Sequence, residues 1–194
     1  MDKKTLMIDI DDVLALDGFL NAINVFEGTN YTLEDSKDYY LQEILPDKEK
    51  FLEYLLSHDL NWYKFGCVNE RAIEVLEELS DKYEIFPFSA YVIPELKKES
   101  ARCLKYKHDF LINNFPFIDP HNYLFGTRKD LFYFDVKIDD KIENLSNASL
   151  KLLYTAHHNK HFTDDELHIN NVIRVDDFDE VLTILNKRAK SLRK

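Results

Sequence analysis

Residues 7–16 read MIDIDDVLAL, and their reading decides the fold. Leu6, Met7 and Ile8 lead straight into Asp9, Asp11 and Asp12, after which apolar residues resume at Val13, Leu14, Ala15 and Leu16. Carboxylates repel one another, and taking them out of water is costly unless something compensates. The run Thr-Leu-Met-Ile-Asp-Ile at 5–10 is apolar enough for a strand in the middle of a parallel sheet. Open sheets of that kind bind ligands at the carboxyl ends of their strands. Acids placed just past the apolar run therefore fall on a ligand-binding rim.

Outward from this strand the text alternates. Residues 17–66 carry three segments with apolar residues at helical spacing, DGFLNAINVFEG, TLEDSKDYYLQEIL and PDKEKFLEYLLSHDL, the last with Pro46 expected in its first turn. NERAIEVLEELSDK predicts an amphipathic helix with Asn69 as N-cap and Ala72, Val75, Leu76 and Leu79 inward. YEIFPFS (83–89) predicts a second strand and ELKKESARCLKYKHDFLINNF one long helix. Short apolar runs follow at NYLFG, DVKID, LKLLYT and NVIRV, and DDFDEVLTILNKRAK closes as a helix with acids before bases. The pattern predicts an α/β fold, a doubly wound, Rossmann-like parallel sheet. A small helical cap (17–66) is inserted after the first strand, and residues 1–16 and 67–194 form the core domain.

The bulk numbers agree with one folded domain. Hydrophobic residues make up 45% and aromatics 13% of 194 residues. The net charge of -11 argues against a nucleic-acid polymer as partner, although a local site can still hold a small anion. Cys67 and Cys103 are too few for a disulfide framework, which leads to the expectation of a reducing cytoplasm. Neither a signal peptide nor a membrane span is expected from MDKKTL and the apolar runs behind it. A monomer and a homodimer are both compatible with the sequence.

The polar residues that end each apolar run form an ordered set. Asp9 and Asp11 follow the first, Ser89 the second, Thr127, Arg128 and Lys129 the run near 123–126, and Asp139 and Asp140 the run from Asp135. Two carboxylates about 4 Å apart repel by roughly 4 kcal/mol at an effective dielectric near 20. A cluster of three or four must protonate, splay or hold a divalent cation. Hard oxygen ligands favour magnesium, which takes one or two carboxylates together with a phosphate oxygen. A lysine and a hydroxyl beside such an ion suit the remaining phosphate oxygens.

DIDDVLA, FPFSA and RKDLFYFDVKIDD, in that order, resemble the motifs of the haloacid dehalogenase superfamily of phosphatases, and more closely its 5'(3')-deoxyribonucleotidases. The resemblance extends to LYTAHHNK and RVDDFDEVLTIL and is weakest in the cap. It implies a magnesium-dependent phosphatase of small phosphate monoesters, with an aspartyl-phosphate intermediate and a deoxyribonucleoside monophosphate as substrate. It assigns Asp9 as nucleophile and Asp11 as general acid/base. Ser89 and Lys129 would hold the phosphate, Lys129 rather than Arg128 by its ten-residue spacing to Asp139. Asp9, Asp139 and the Asp11 main-chain carbonyl would bind the metal, with Asp140 supporting it. Phe19, Trp62 and Tyr63 would stack on the base. The chain has Asp12 where that family has Gly, Leu16-Asp17 in place of Asp-Phe, and Ser89-Ala90 in place of Thr-Ser.

Three other readings stand beside it. A sugar phosphate could be the substrate of the same chemistry. A receiver-like signalling domain also gathers acids, a hydroxyl and a lysine at a sheet edge, but lacks a cap. A non-catalytic binding relative would not need the complete set. His157, His158 and His161 match no zinc spacing and are expected in a loop beside the site or on the surface.

Overall fold

The computed structural model describes residues 3–36 and 39–191. Six parallel strands form one sheet: β1 (Lys4–Ile8), β4 (Tyr83–Ser89), β5 (Leu124–Phe125), β6 (Phe134–Asp139), β7 (Ala148–Tyr154) and β8 (Val172–Val175), in the order β5-β4-β1-β6-β7-β8. By chain order within the sheet this is 3-2-1-4-5-6, the doubly wound arrangement, and its order reverses between β1 and β6. The register pairs Ile8 with Pro87 on one side and Ile138 on the other, so three strands end level with one another.

Alternation along β1 explains the layers. Leu6 and Ile8 share one face with Ile85, Val136, Ile138 and Leu152. That face is covered by α3 (Glu70–Ser80), α4 (Arg102–Asn114) and α6 (Phe178–Ser191), which contribute Val75, Leu76, Leu111, Phe178 and Val181, together with Phe115 at the end of α4. Asn69 caps α3 as expected, accepting from the Ala72 N–H at 3.3 Å. Met7 points to the other face, with Phe88 and Phe134. There, among the described residues, α5 (Asp164–Ile169) and short turns lie against the sheet.

One buried charge ties those turns down. Lys137, inside β6, donates to the main-chain carbonyls of Lys129 (2.8 Å), Asn144 (3.1 Å) and Ser146 (2.6 Å). Removing it orphans one buried and two half-buried acceptors, each costing up to about 1–3 kcal/mol unless the turns reopen to water. Lys137→Met is expected to lower stability by about 3 kcal/mol, read from the urea midpoint. An unchanged midpoint would show that the carbonyls find other donors.

Between β1 and β4 the chain leaves and re-enters the sheet through a two-stranded antiparallel ribbon, β2 (Ala15–Leu16) and β3 (Cys67–Val68). A Cβ on Gly66 would lie 2.6 Å from the Leu16 carbonyl oxygen and 2.9 Å from the Gly18 Cα, so this crossing admits only glycine. The insert beyond it carries α1 (Gly18–Glu27) and α2 (Lys48–Ser57) around Leu20, Ile23, Phe51, Leu55 and Trp62, with Cys103 from α4 completing their core.

Three local expectations change. TLEDSKDYYLQEIL is not one helix: among the described residues it holds two tight turns, Leu33–Asp35 and Leu41–Ile44. The Asp35 carboxylate bonds back to the Thr32 N–H (2.7 Å) and hydroxyl (2.9 Å), and Ser36 leaves in an extended conformation. The long helix after β4 begins only at Arg102, because the Ser100 hydroxyl takes the Ile93 N–H (2.8 Å) and bonds the Leu96 carbonyl (2.7 Å), winding 93–100 into turns. Pro46 precedes the N-cap Asp47 of α2 instead of lying in its first turn.

Candidate active site

At the order reversal, the ends of β1 and β6 bring acids together. The Asp9 N–H donates to the Ile138 carbonyl at 3.0 Å, which extends the pairing one residue past β1 and points the Asp9 side chain along the rim. Lys129 Nζ sits 2.7 Å from Asp9 Oδ2 and 2.7 Å from Asp139 Oδ2, and all three side chains are buried. The other Asp139 oxygen accepts from the Lys141 N–H and the Asn144 amide, both at 2.9 Å. Asp140 is held by its main chain: its carbonyl accepts from Asn159 Nδ2 (2.8 Å) and His158 Nε2 (3.2 Å). Arg174 in turn donates to the Asn159 side-chain oxygen at 3.0 Å.

Asp9, Asp139 and Asp140 each offer an oxygen within 4.8 Å of the others. Three carboxylates face one ammonium, so two negative charges are uncompensated. Burial, then Asp139 and Asp11, push the Asp9 carboxyl up to about 7 despite Lys129. Burial and the Asp139 and Asp9 charges push Asp140 well above the carboxylate range. Burial works against the Lys129 ammonium, but Asp139 and Asp9 outweigh it and keep it charged. A buried all-oxygen set with two charges in excess fits a hard divalent cation.

Asp11 faces another way. One oxygen accepts from the Tyr63 hydroxyl at 2.6 Å and lies 3.4 Å from Trp62 Nε1; the other accepts from the Ser89 hydroxyl at 3.0 Å and from Lys107 Nζ. Lys107 also donates to Ser89 Oγ (2.9 Å) and the Tyr63 oxygen (3.1 Å), and is 1% exposed. Burial opposes ionisation of Asp11, yet Lys107, Tyr63 and Ser89 hold its carboxyl below the usual range. Only the main-chain carbonyl of Asp11 is thus left for the acid cluster. Asp12, at the position where the family that the motifs resemble has glycine, adopts the left-handed conformation (φ 58) that makes glycine the common choice. Burial and the Asp11 and Asp9 charges raise its carboxyl to about 7.

Lys107 is the residue that sequence reasoning missed. Its signal is faint but physical: Cys103, Lys107 and Leu111 form a buried stripe at four-residue spacing on α4. A lysine inside an apolar stripe needs a partner, whereas its exposed neighbour Lys105 pairs with Asp109 on the surface.

Above Asp11 opens a pocket of about 180 Å³ whose lining includes Phe19, Trp62, Tyr63, Tyr39, Gln42 and Lys107. Phe19 stands edge-on to Trp62 at 5.8 Å, and Trp62 stacks with Tyr63 at 5.9 Å. Tyr39 closes the far side against the sheet: its ring meets His158 edge-on at 5.0 Å, and Lys141 Nζ lies 3.7 Å from its centroid. His157 and His158 thus occupy the turn after β7 beside Asp140, with His161 farther along against Phe162 at 4.2 Å.

The profile of the family described as "5' nucleotidase, deoxy (Pyrimidine), cytosolic type C protein" matches residues 3–192. The chain belongs to this family. It is a nucleotidase, a phosphoric monoester hydrolase with the haloacid dehalogenase fold. The nucleotidase is 29% identical over 185 residues to the 5'(3')-deoxyribonucleotidase of Bacillus subtilis, covering 92% of this chain and 96% of that protein, and equally so to its counterpart in Bacillus phage SPbeta. Among solved structures, a haloacid dehalogenase-like family hydrolase from Streptococcus pneumoniae superimposes with a TM-score of 0.52 at 17% identity, covering 94% of this chain and 98% of that one, which concerns the fold alone.

Proposed function

We propose that this nucleotidase hydrolyses deoxyribonucleoside monophosphates through an aspartyl phosphate on Asp9, assisted by magnesium. The observation that carries the reading is the meeting of Asp9, Lys129 and Asp139 within 2.7 Å contacts at the sheet's order reversal, beside a pocket walled by aromatic rings. Asp9, Asp139, Asp140 and the Asp11 carbonyl would hold the ion, which supplies charge neutralisation to the phosphoryl oxygens.

The protein's own groups account for the rest. An Asp9 oxygen attacks phosphorus, and the bond from phosphorus to the ester oxygen breaks. Asp11 gives its proton to the departing alkoxide, then takes one from the water that attacks the aspartyl phosphate and releases phosphate. Lys129, Ser89 and Lys107 bind the phosphoryl oxygens. As the phosphate draws Lys107 and Ser89 toward itself, Asp11 loses the donors that keep it ionised and gains affinity for the proton it must carry. Residues 17–66 act as a cap on the core of 1–16 and 67–194, excluding water and polymeric substrates. Phe19, Trp62 and Tyr63 supply flat surfaces for the base. No described helix is long and apolar enough to cross a membrane, and both cysteines are free, which suits work in a reducing cytoplasm.

A panel of phosphate esters, assayed with magnesium and with a chelator, tests the proposal. Deoxyribonucleoside monophosphates should be turned over at least about tenfold more efficiently than sugar phosphates, and chelation should stop all turnover. A flat panel removes the nucleotide substrate; full activity in chelator removes the metal.

A further inference from the structure

The pocket walls are mostly aromatic and aliphatic, and one carboxamide stands among them. Gln42 lies on the Leu41–Ile44 turn of the cap, lines the pocket and is only 7% exposed. Its main-chain carbonyl accepts the Leu45 N–H at 3.1 Å, but its side-chain amide bonds to no described residue. Buried polar groups in native proteins are satisfied by protein, water or ligand. Asn61 Oδ1 is sealed away without a partner; the Gln42 amide is not among the sealed, unpartnered atoms of the described residues, and Gln42 is one of the residues that line the pocket. It also stands apart from the polar network below: Asp11, Ser89, Lys107 and Tyr63 are saturated with one another.

The two features of the pocket recognise different things. Stacking tolerates any base, because every base has a π-face. A carboxamide offers one acceptor and one donor side by side, and so pairs with an edge that presents the complementary two. Thymine offers its N3–H beside O4; cytosine offers N3 beside its amino group, met by the same amide turned over. We propose that Gln42 reads the hydrogen-bonding edge of the nucleobase, while Phe19, Trp62 and Tyr63 hold only its flat faces. This inference rests on the nucleotide reading above and deepens it: Gln42 distinguishes a base from any other flat apolar ring.

The test compares wild type with Gln42→Met on three substrates at saturating magnesium: thymidine 5'-monophosphate, its N3-methyl derivative and 2-deoxyribose 5-phosphate. In wild type, N3-methylation should lower kcat/KM at least about tenfold, the usual size of one lost hydrogen bond to a buried group. In Gln42→Met, thymidine monophosphate should fall to the level of the methylated substrate, and methylation should matter less than about twofold. The preference for thymidine monophosphate over 2-deoxyribose 5-phosphate should shrink by the same factor. Gln42→Asn, which withdraws the amide by one methylene, should lose the same selectivity.

An undiminished methylation penalty in Gln42→Met, which a purely steric effect would give, overturns the assignment. So does an equal loss on all three substrates, which marks a structural role. Wild type that prefers 2-deoxyribose 5-phosphate or shows no preference sinks the nucleotide reading itself, a result distinct from failure of Gln42 alone.

Discussion

Asp9→Asn should lose at least about 10⁴-fold in kcat on every phosphate ester, because the amide cannot form the phosphoenzyme that the reaction passes through. The same variant should be no less stable than wild type. Burial and neighbouring acids raise the Asp9 carboxyl to about 7 in the folded chain, above its ordinary value near 3.9. A group raised in this way adds stability that is complete below about pH 3.9 and lost as pH climbs through about 7. At pH 8 without a divalent ion, wild-type Asp9 is therefore ionised at a cost to folding. Asparagine removes that cost, and Lys129 keeps Asp139 as its partner at 2.7 Å. Thermal melting in chelator at pH 8 should show Asp9→Asn a few degrees above wild type, with the difference closing toward pH 5. Measurable turnover by a variant that contains no residual wild type would refute the nucleophile. A large fall in melting temperature would show that the Asp9–Lys129 pair is structural.

Lys107→Met is expected to have the second largest effect, a fall of about 10²–10³-fold in kcat/KM. The substitution nearly preserves the shape of a side chain that is 1% exposed within an apolar helix stripe. It removes a charge from the phosphate pocket and from Asp11 at once. Lys107, against the pull of burial, is what holds the Asp11 carboxyl below its usual range. Without it, desolvation prevails and Asp11 binds its proton more tightly. The limb of the kcat/KM profile that reports Asp11 should therefore move to higher pH. A merely structural lysine would lower activity without moving that limb, so a fixed profile overturns the assignment.

The residues that could be read from the text share one property: they interrupt an apolar strand at its end. Asp9 and Asp139 had to lie near the rim because Leu6–Ile8 and Val136–Ile138 had to be buried, and a parallel sheet places its ligands there. Amphipathic α3 and its Asn69 cap were legible for a like reason, since spacing and a cap are local. Where the chain's own polar side chains compete for the backbone, local reading failed: Asp35 and Ser100 fold back and turn one expected helix and the start of another into tight turns.

By itself, then, the amino-acid sequence determined which segments are buried, that the sheet is doubly wound, and that acids, a hydroxyl and a lysine gather at strand ends. Only the tertiary structure decided how those groups pair. It set Lys129 between Asp9 and Asp139, turned the Asp11 carboxylate toward Lys107 and Ser89, and brought Tyr39 and Gln42 to the pocket from a stretch whose helical spacing did not become one helix. The physical reason is range. Burial and capping act over a few residues and leave a period in the text, whereas a charge chooses partners by distance in space, and Lys107 is 96 residues from the carboxylate it holds.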